Sequence, residues 1–199
     1  MENKHNIILF GKENVGKTGT LMYLAGLLAG ITFSPVVWDR KKMRLICSGK
    51  ILEDAHFIIR YMGKLVFIAT SGDSWENCKV NYNFFTGQNL GNMKIYDINP
   101  KGVFEIKNKV PYSIAYNEEN VRQELVVVPD ICISACRPEG DRRGAIKAIH
   151  SYSEDILDRF VQQIWIRKDA DSEKNIEKNN KKQAKKLQSI INRIIKTGK

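Results

Sequence analysis

The chain has 199 residues, of which 43% are apolar and 27% charged, a balance that excludes a disordered or fibrous protein. This length suits one well-buried core and is short for two. The formal net charge is +10, but nine basic residues and one acid lie between Lys174 and the end, a local charge of +8, so residues 1–173 carry only +2. The basicity therefore belongs to the C-terminal segment.

Cysteine and histidine positions bear on compartment and metal content. The cysteines at 47, 78, 132 and 136 show no CxxC spacing, and the three histidines are scattered. These spacings disfavour a zinc site and a disulfide framework, and they predict a reduced, cytoplasmic chain. The apolar run from Leu21 to Phe33 is shorter than the ~20 residues of a spanning helix, so no transmembrane segment is predicted. The polar start, Met1 to Asn6, predicts no signal peptide.

The first elements follow one another closely. Ile7 to Phe10 is a short apolar run that predicts a buried parallel strand. Gly16 to Ala29 predicts a helix that stops at Gly30. Val36 to Trp38 predicts the next strand, which ends at Asp39.

The segment from His56 to Asp73 predicts a β-hairpin. Two runs rich in Ile, Val and Phe flank a turn at residues 62–64. The second run, Leu65 to Thr70, is the more continuously apolar, so we expect it to enter the central sheet. It ends in the small polar cluster Ser71 to Asp73, after which a helix is predicted from Trp75 to Phe85.

The second half of the chain is less regular. Residues 86–120 predict an inserted hairpin at the periphery, and Ile131 to Pro138 a buried strand. A long helix is predicted from Gly144 to about Arg167, and Asp169 to Lys182 reads as a linker or a solvated helical stretch. The final segment has an apolar stripe at helical spacing. Its members are Leu187, Ile190, Ile191, Ile194 and Ile195.

The most informative pattern lies near the start of the chain. Gly11, Gly16, Lys17 and Thr18 complete G-x-x-x-x-G-K-[ST] in "GKENVGKT", directly after the first strand and before the first helix. Glycines let the backbone turn its N–H groups toward a phosphate, and the helix adds the positive end of its dipole. The lysine would reach the β and γ phosphates, and the threonine hydroxyl would ligate Mg²⁺.

With this loop the chain resembles the P-loop NTPase superfamily. The resemblance implies a three-layer α/β fold with a mainly parallel central sheet, here with a β-hairpin addition and a basic C-terminal helix. It also implies that Mg-nucleotide binds at the carboxyl ends of the strands. The implied nucleotide-binding residues are Gly11, Asn14, Val15, Gly16, Lys17, Thr18 and Gly19.

The superfamily usually adds an acid at the end of a second apolar strand, where it holds Mg²⁺. Asp73 is the first candidate and Asp39 the second, which with Thr18 gives the expected metal set. The alternative is that residues 71–73 make a turn and cap the next helix. Arg137, with Arg142 and Arg143 in the same loop, could meet phosphate or transition-state charge, although loop arginines are often merely solvated.

The leading function is Mg²⁺-dependent binding and hydrolysis of a nucleoside triphosphate, with ATP expected and GTP left open. Lys17, Asp73 and Arg137 are its expected catalytic residues. A nucleotide or small-molecule kinase is the first alternative, because "VVWDR" resembles a P-loop kinase strand that ends in an acid and an arginine, Asp39 and Arg40. The hairpin at residues 55–70 is not a kinase feature.

A GTPase-like switch is the second alternative. The hairpin and Gly72 resemble the γ-phosphate side of the small GTPases, and Ser134 to Cys136 resembles their late Ser-Ala motif. The order Thr70, Ser71, Gly72, Asp73 is not Asp-x-x-Gly, however, and Pro111 stands where the guanine-reading acid is expected. No visible residue therefore selects guanine.

The basic C-terminal helix divides the chain, in this interpretation, into a nucleotide-binding domain at 1–168 and an extension at 169–199. An exposed positive segment attracts nucleic acid or an anionic membrane, and its apolar stripe could bind a protein partner. Either contact would suit an accessory NTPase whose hydrolysis drives binding to another macromolecule. The simpler alternative is that the stripe packs on its own domain and the lysines are its solvated face.

Overall fold

The computed structural model describes fifteen stretches of the chain. They are residues 4–12, 15–31, 34–39, 42–47, 50–52, 56–72, 74, 77–78, 81, 95–106, 112–116, 122–126, 129–137, 161–168 and 175–198. These residues form an α/β fold with a mixed, mostly parallel seven-stranded sheet, two helices and two small antiparallel sheets. The α/β class predicted from the sequence is thereby confirmed.

The described residues form twelve strands, numbered in chain order. They are β1 (Lys4–Phe10), β2 (Ser34–Asp39), β3 (Lys42–Cys47), β4 (Lys50–Leu52), β5 (His56–Tyr61), β6 (Lys64–Ala69), β7 (Ile95–Asn99), β8 (Gly102–Ile106), β9 (Tyr112–Tyr116), β10 (Arg122–Val126), β11 (Ile131–Cys136) and β12 (Val161–Arg167). The helices are α1 (Lys17–Ala29) and α2 (Ile176–Thr197).

The main sheet has the strand order β12-β1-β11-β6-β5-β7-β8. Strands β12, β1, β11 and β6 are parallel, whereas β5 is antiparallel to β6. Every residue of β11 is buried, as expected for a strand covered on both faces. Strand β11 therefore separates β1 from β6, and the carboxyl ends of all three meet at one edge of the sheet.

Both predicted hairpins are present. Strands β5 and β6 pair antiparallel around the turn at residues 62–63, and β6 enters the main sheet beside β11. Strands β7 and β8 form the second hairpin, within the predicted range 86–120, and β8 is the edge strand of the sheet. A third pair, β9 and β10, forms the separate two-stranded sheet.

The helix predicted from Gly144 to about Arg167 is wrong in its last part. Residues 161–167 form β12, which pairs parallel with β1 from Val161 opposite Lys4 to Arg167 opposite Phe10. The run "VQQIWIR" supports a strand because Ile166 joins the main core while Trp165 packs on the opposite face, a period of two. Residues 138–160 lie outside the described residues.

The strand predicted at Val36 to Trp38 is present as part of β2, but it is not a strand of the main sheet. Strands β2, β3 and β4 form a three-stranded antiparallel sheet of their own, in which Asp39 is opposite Lys42. Local sequence favours a strand there, but it cannot say which sheet the strand joins.

The two faces of β1 contribute to different clusters. Ile7 and Leu9 belong to the main core with residues of both helices, whereas Ile8 lies with Cys78 and Cys136 on the other face. Both α1 and α2 therefore lie on one face of the sheet. Helix α1 is buried almost all round because it is enclosed between the sheet and α2.

The apolar stripe of α2 packs on α1 and enters the main core. Leu187 and Ile191 are fully buried there, and Ile194 nearly so. The alternative in which the stripe packs on its own domain is thus confirmed. Of the helices that the structure describes, neither has the length and apolar content needed to cross a membrane.

A polar contact also ties α2 to the hairpin. The Tyr61 hydroxyl donates to Asn192 Oδ1 at 2.8 Å and accepts from Gln188 Nε2 at 3.4 Å. We expect Tyr61→Phe to lower the free energy of unfolding by about 0.5–1.5 kcal/mol, the usual net worth of such a bond. Urea denaturation checks this, with Asn192→Ala and the double variant completing a cycle. Fully additive losses would contradict the contact.

Candidate functional site

The loop after β1 begins between the ends of two neighbouring strands. The Gly11 N–H donates to the Cys136 carbonyl of β11 at 3.2 Å, and the Lys168 N–H after β12 donates to the Phe10 carbonyl at 2.7 Å. Residues 13 and 14, including the predicted binding residue Asn14, lie outside the described residues. Val15 is buried, so the loop is anchored to the core at both ends.

Gly16 makes the transition from loop to helix. It has φ 85° and ψ 25°, a left-handed conformation, and its carbonyl accepts the Thr20 N–H at 2.9 Å. The first N–H groups of α1 point out of its amino terminus, where they and the helix dipole favour an anion. The predicted binding residues Lys17, Thr18 and Gly19 form its first turn.

Lys17 folds back across the loop. Its Nζ donates to the Gly11 carbonyl at 2.8 Å and to the Lys12 carbonyl at 2.7 Å, and the residue is only 6% exposed. A buried ammonium is thus held at the amino terminus of α1, beside the carboxyl end of β1. This places positive charge inside the loop.

Thr18 connects the loop to the carboxyl end of β6. Its Oγ1 donates to the Thr70 carbonyl in a long hydrogen bond of 3.5 Å. Because β11 intervenes, β6 lies two strand spacings, about 10 Å, from β1. The Thr18 side chain, in the first turn of α1, therefore reaches the segment that follows β6. Asp73 lies outside the described residues, and Asp39 ends β2 in the separate sheet.

Three polar side chains fix the backbone after β6. His56 Nε2 lies 2.9 Å from Asn81 Oδ1 and 3.0 Å from Ser71 Oγ, and Asn81 Nδ2 donates to the Ser71 carbonyl at 2.8 Å. With Oδ1 as an acceptor, the network assigns the imidazole proton to Nε2. Sequence reasoning missed this cluster. The one signal in the sequence was that His56 and Asn81 are polar residues beside apolar strands, and the structure shows that both are buried.

Gly72 lies directly against β11. A Cβ at this position would collide with the Ala135 carbonyl, so the close approach of the two backbones requires glycine. Ser74 Oγ accepts the Asn77 N–H at 3.2 Å, and the described residues 77, 78 and 81 are helical. Ser74 therefore lies in a capping position before these helical residues, which fall within the helix predicted from Trp75 to Phe85.

Two thiols lie near the carboxyl ends of the parallel strands, on the face of the sheet opposite the two helices. Cys78 Sγ donates to the Gly72 carbonyl at 3.8 Å, and Cys136 lies in the same cluster with Ile8. A hydrogen bond with Cys78, followed by burial, raises the pKa of the Cys136 thiol well above its ordinary value. The Cys136 thiol therefore packs as a structural group, because a nucleophile needs an accessible thiolate, and Cys78 is buried beside it.

Arg137 follows β11 at the point where that strand contacts the loop. The residue is 5% exposed, and its neighbour Cys136 provides the carbonyl that holds Gly11. Its backbone therefore lies beside the start of the loop at Gly11, and its role toward a phosphate stays a prediction. Arg142 and Arg143 lie outside the described residues.

Helix α2 contributes a residue to the back of the loop. Asn180 is fully buried, and its Oδ1 accepts the Thr20 hydroxyl at 3.1 Å. A Cβ on Gly16 would lie 2.5 Å from that same Oδ1. In the described part of the chain Asn180 Nδ2 has no hydrogen-bond partner. Sequence reasoning missed this residue, although its position seven residues before Leu187 continues the apolar stripe and could have revealed it.

A second polar contact closes the junction between α1 and α2. Glu177 accepts from the Tyr23 hydroxyl at 3.0 Å and from Lys181 Nζ at 2.7 Å. The bonds from Lys181 and then Tyr23 lower the pKa of Glu177, whereas burial and then the Glu177 bond raise the pKa of Tyr23. The carboxylate is therefore stabilised in its charged form at neutral pH.

Metal ligands are sparse in the part of the chain that the structure describes. No group of three His, Cys, Asp or Glu residues lies together there. A magnesium ion held by one threonine hydroxyl, phosphate oxygens and water would not need such a group, and Thr18 lies where the loop meets the end of β6.

Comparisons with known proteins add no relative. No protein-family model, no curated protein and no solved structure matches this chain.

Proposed function

We propose that this chain is a P-loop NTPase that binds a Mg²⁺-nucleoside triphosphate, with ATP expected, and hydrolyses it. The observation that carries the proposal is the position of Lys17. Its ammonium lies against the carbonyls of residues 11 and 12 at the amino terminus of α1. The sequence pattern and this local geometry both support the proposal of a phosphate-binding loop.

Phosphate binding follows from the groups at this end of α1. The N–H groups at the amino terminus of α1 and the helix dipole attract an anion, and the lysine adds a full charge. On binding, Lys17 would exchange its two carbonyl acceptors for β- and γ-phosphate oxygens. A charge-assisted hydrogen bond to phosphate is stronger than one to a neutral carbonyl, so the exchange is favourable.

Thr18 supports the proposal for the metal. Its hydroxyl already lies in the space between the first turn of α1 and the end of β6. Mg²⁺ held there would neutralise charge on the phosphates during transfer. We propose Asp73, three residues after Thr70, as the acid that holds the ion through water, with Asp39 as the second candidate.

Arg137 is proposed to stabilise charge on the transferring phosphoryl group. It follows β11, whose last carbonyl holds the start of the loop. Hydrolysis is preferred over transfer because water needs no acceptor site. The kinase hypothesis relied on the resemblance of Asp39 and Arg40 to the end of the second strand of P-loop kinases, and β2 lies in a sheet separate from the one that contains β1.

The test is nucleotide binding by wild type and by Lys17→Ala. Loss of a hydrogen bond to a charged group costs about 1.5–3 kcal/mol, so we expect affinity for Mg-ATP to fall about 10- to 100-fold. The matched control is Lys64→Ala, which removes a lysine at the opposite end of β6, where it pairs with Asp130 at 3.7 Å. Titration calorimetry measures both. Equal affinity of Lys17→Ala and wild type would overturn the proposed site.

Product analysis then separates the reactions. Release of inorganic phosphate from ATP without an acceptor supports hydrolysis, whereas phosphorylation of an added nucleoside monophosphate would establish the kinase alternative. Selective binding of GTP over ATP would establish the switch. Removal of Mg²⁺ with a chelator should abolish phosphate release, because the metal neutralises the charge that develops.

A further inference from the structure

The outer face of α2 is strongly cationic. Its exposed residues form one side of the helix, opposite the buried stripe that contains Leu187 and Ile191. At about 100° per residue, the exposed cations fall within an arc of about 140°. They are Lys178, Lys181, Lys182, Lys185, Lys186, Arg193 and Lys196.

Acids do not balance this face. Glu177 is the one acid of α2, and its carboxylate is already bonded to Lys181 and to the Tyr23 hydroxyl. No carboxylate of the described residues forms an ion pair with the other six cations. Since residues 1–173 carry a net charge of only +2, the excess charge of the chain is concentrated here.

This arrangement costs stability. Lys178 and Lys182, Lys181 and Lys185, and Lys182 and Lys186 are like-charged pairs four residues apart. Each such pair destabilises a helix by roughly 0.2–0.5 kcal/mol, and a solvated face ordinarily mixes both signs. A bound polyanion would relieve this repulsion. The packing of the opposite, apolar face does not require lysines on the outer face, so it does not account for their concentration there.

We propose that the outer face of α2 binds the phosphate backbone of duplex nucleic acid without sequence specificity. The cations extend over 18 residue steps, about 27 Å of rigid helix. That length covers about eight base pairs at 3.4 Å each. A rigid row of charges suits the regular phosphates of a duplex, and neutralising them releases counterions.

The chemistry of this face disfavours two other polyanions, an anionic membrane and single-stranded nucleic acid. An amphipathic helix that binds a membrane inserts its apolar face, but that face of α2 lies in the core. Binding of single strands relies on aromatic stacking, and no aromatic residue lies between 176 and 197. Six of the seven exposed cations are lysines, point charges that contact phosphates and cannot read bases as the planar, bidentate guanidinium of an arginine can.

The first experiment measures binding of the full chain to two labelled 20-base-pair duplexes of unrelated sequence by fluorescence anisotropy. With six phosphate contacts we expect affinity to fall about 10³-fold between 50 and 200 mM salt. The two sequences should bind equally, and a single strand and phosphatidylserine vesicles more weakly. No binding at 50 mM salt, tighter binding to vesicles, or strong preference for one sequence would each overturn the proposal.

The second experiment locates the surface. Lys182→Glu/Lys186→Glu should weaken duplex binding and reduce the salt slope by about two contacts. The matched control, Arg60→Glu/Lys101→Glu, changes the charge equally at exposed positions outside α2. An equal loss in both variants would overturn the assignment to α2. Circular dichroism checks the fold, and Lys182→Gln/Lys186→Gln, which should show a smaller loss in the same direction, replaces the reversal variant if it unfolds.

Discussion

Gly72→Ala is expected to destabilise the protein by about 3 kcal/mol or more. The added Cβ would collide with the Ala135 carbonyl of β11, and both groups are backbone or attached to it. Overpacking at such a site typically costs 1–3 kcal/mol and more where no side chain can move aside. Here the end of β6 would have to separate from β11.

Urea denaturation of wild type and variant measures this cost. The control is Gly63→Ala in the turn between β5 and β6, where φ is 79° and nothing lies within 4 Å of an added Cβ. That variant should lose only about 1–2 kcal/mol, the cost of a left-handed conformation. If Gly72→Ala proved no more destabilising than the control, the close approach of Gly72 to β11 would be wrong.

The position of Gly72 shows what local sequence can predict and what it cannot. The pattern predicted a strand that ends near residue 70 and then a small polar cluster, because both are local properties. The contact with Ala135 depends on the insertion of β11 between β1 and β6. Strand order is set by pairing between residues far apart in sequence, and a single run of apolar residues carries no signal for it.

The strand and the helix on either side of residues 11–16 were predictable for the opposite reason. They are nearly contiguous, so one short pattern specifies both, and the structure has β1 and α1 there, with β1 beginning three residues earlier than predicted. Helix α1 ends at the predicted Gly30, which has φ 69°.

Strand β12 was mispredicted because short apolar runs fit two periods at once. Ile164 and Phe160 match a helical spacing of four, while Ile164 and Ile166 match the strand spacing of two. Pairing with β1 over seven residues makes residues 161–167 a strand. That partner lies more than 150 residues away, and tertiary pairing overrides local preference in such cases.

The stripe of α2 was predictable as a stripe, but its partner was not. Apolar positions at helical spacing say that one face is buried without naming what covers it. The structure shows that α1 covers it, and with that contact Asn180 reaches Thr20 and the backbone at Gly16.

Gly16→Ala is expected to cost about 2–5 kcal/mol of stability for two separate reasons. A non-glycine residue at φ 85° pays about 1–2 kcal/mol, and the new Cβ would lie 2.5 Å from Asn180 Oδ1, an overpacking cost of about 1–3 kcal/mol. Gly30→Ala isolates the first cost, since φ is 69° there and nothing lies within 4 Å of the added Cβ.

A double-mutant cycle isolates the second cost. Asn180→Ala removes the side chain that the new Cβ would strike, so the loss caused by Gly16→Ala should shrink by about 1 kcal/mol or more in the Asn180→Ala background. Chemical denaturation of the four proteins at one pH gives the coupling. Additive losses would show that Asn180 does not restrict the loop. A coupling of the expected sign would mean that the conformation of the loop at Gly16 depends on how the C-terminal helix is seated, although that helix begins 160 residues further along the chain.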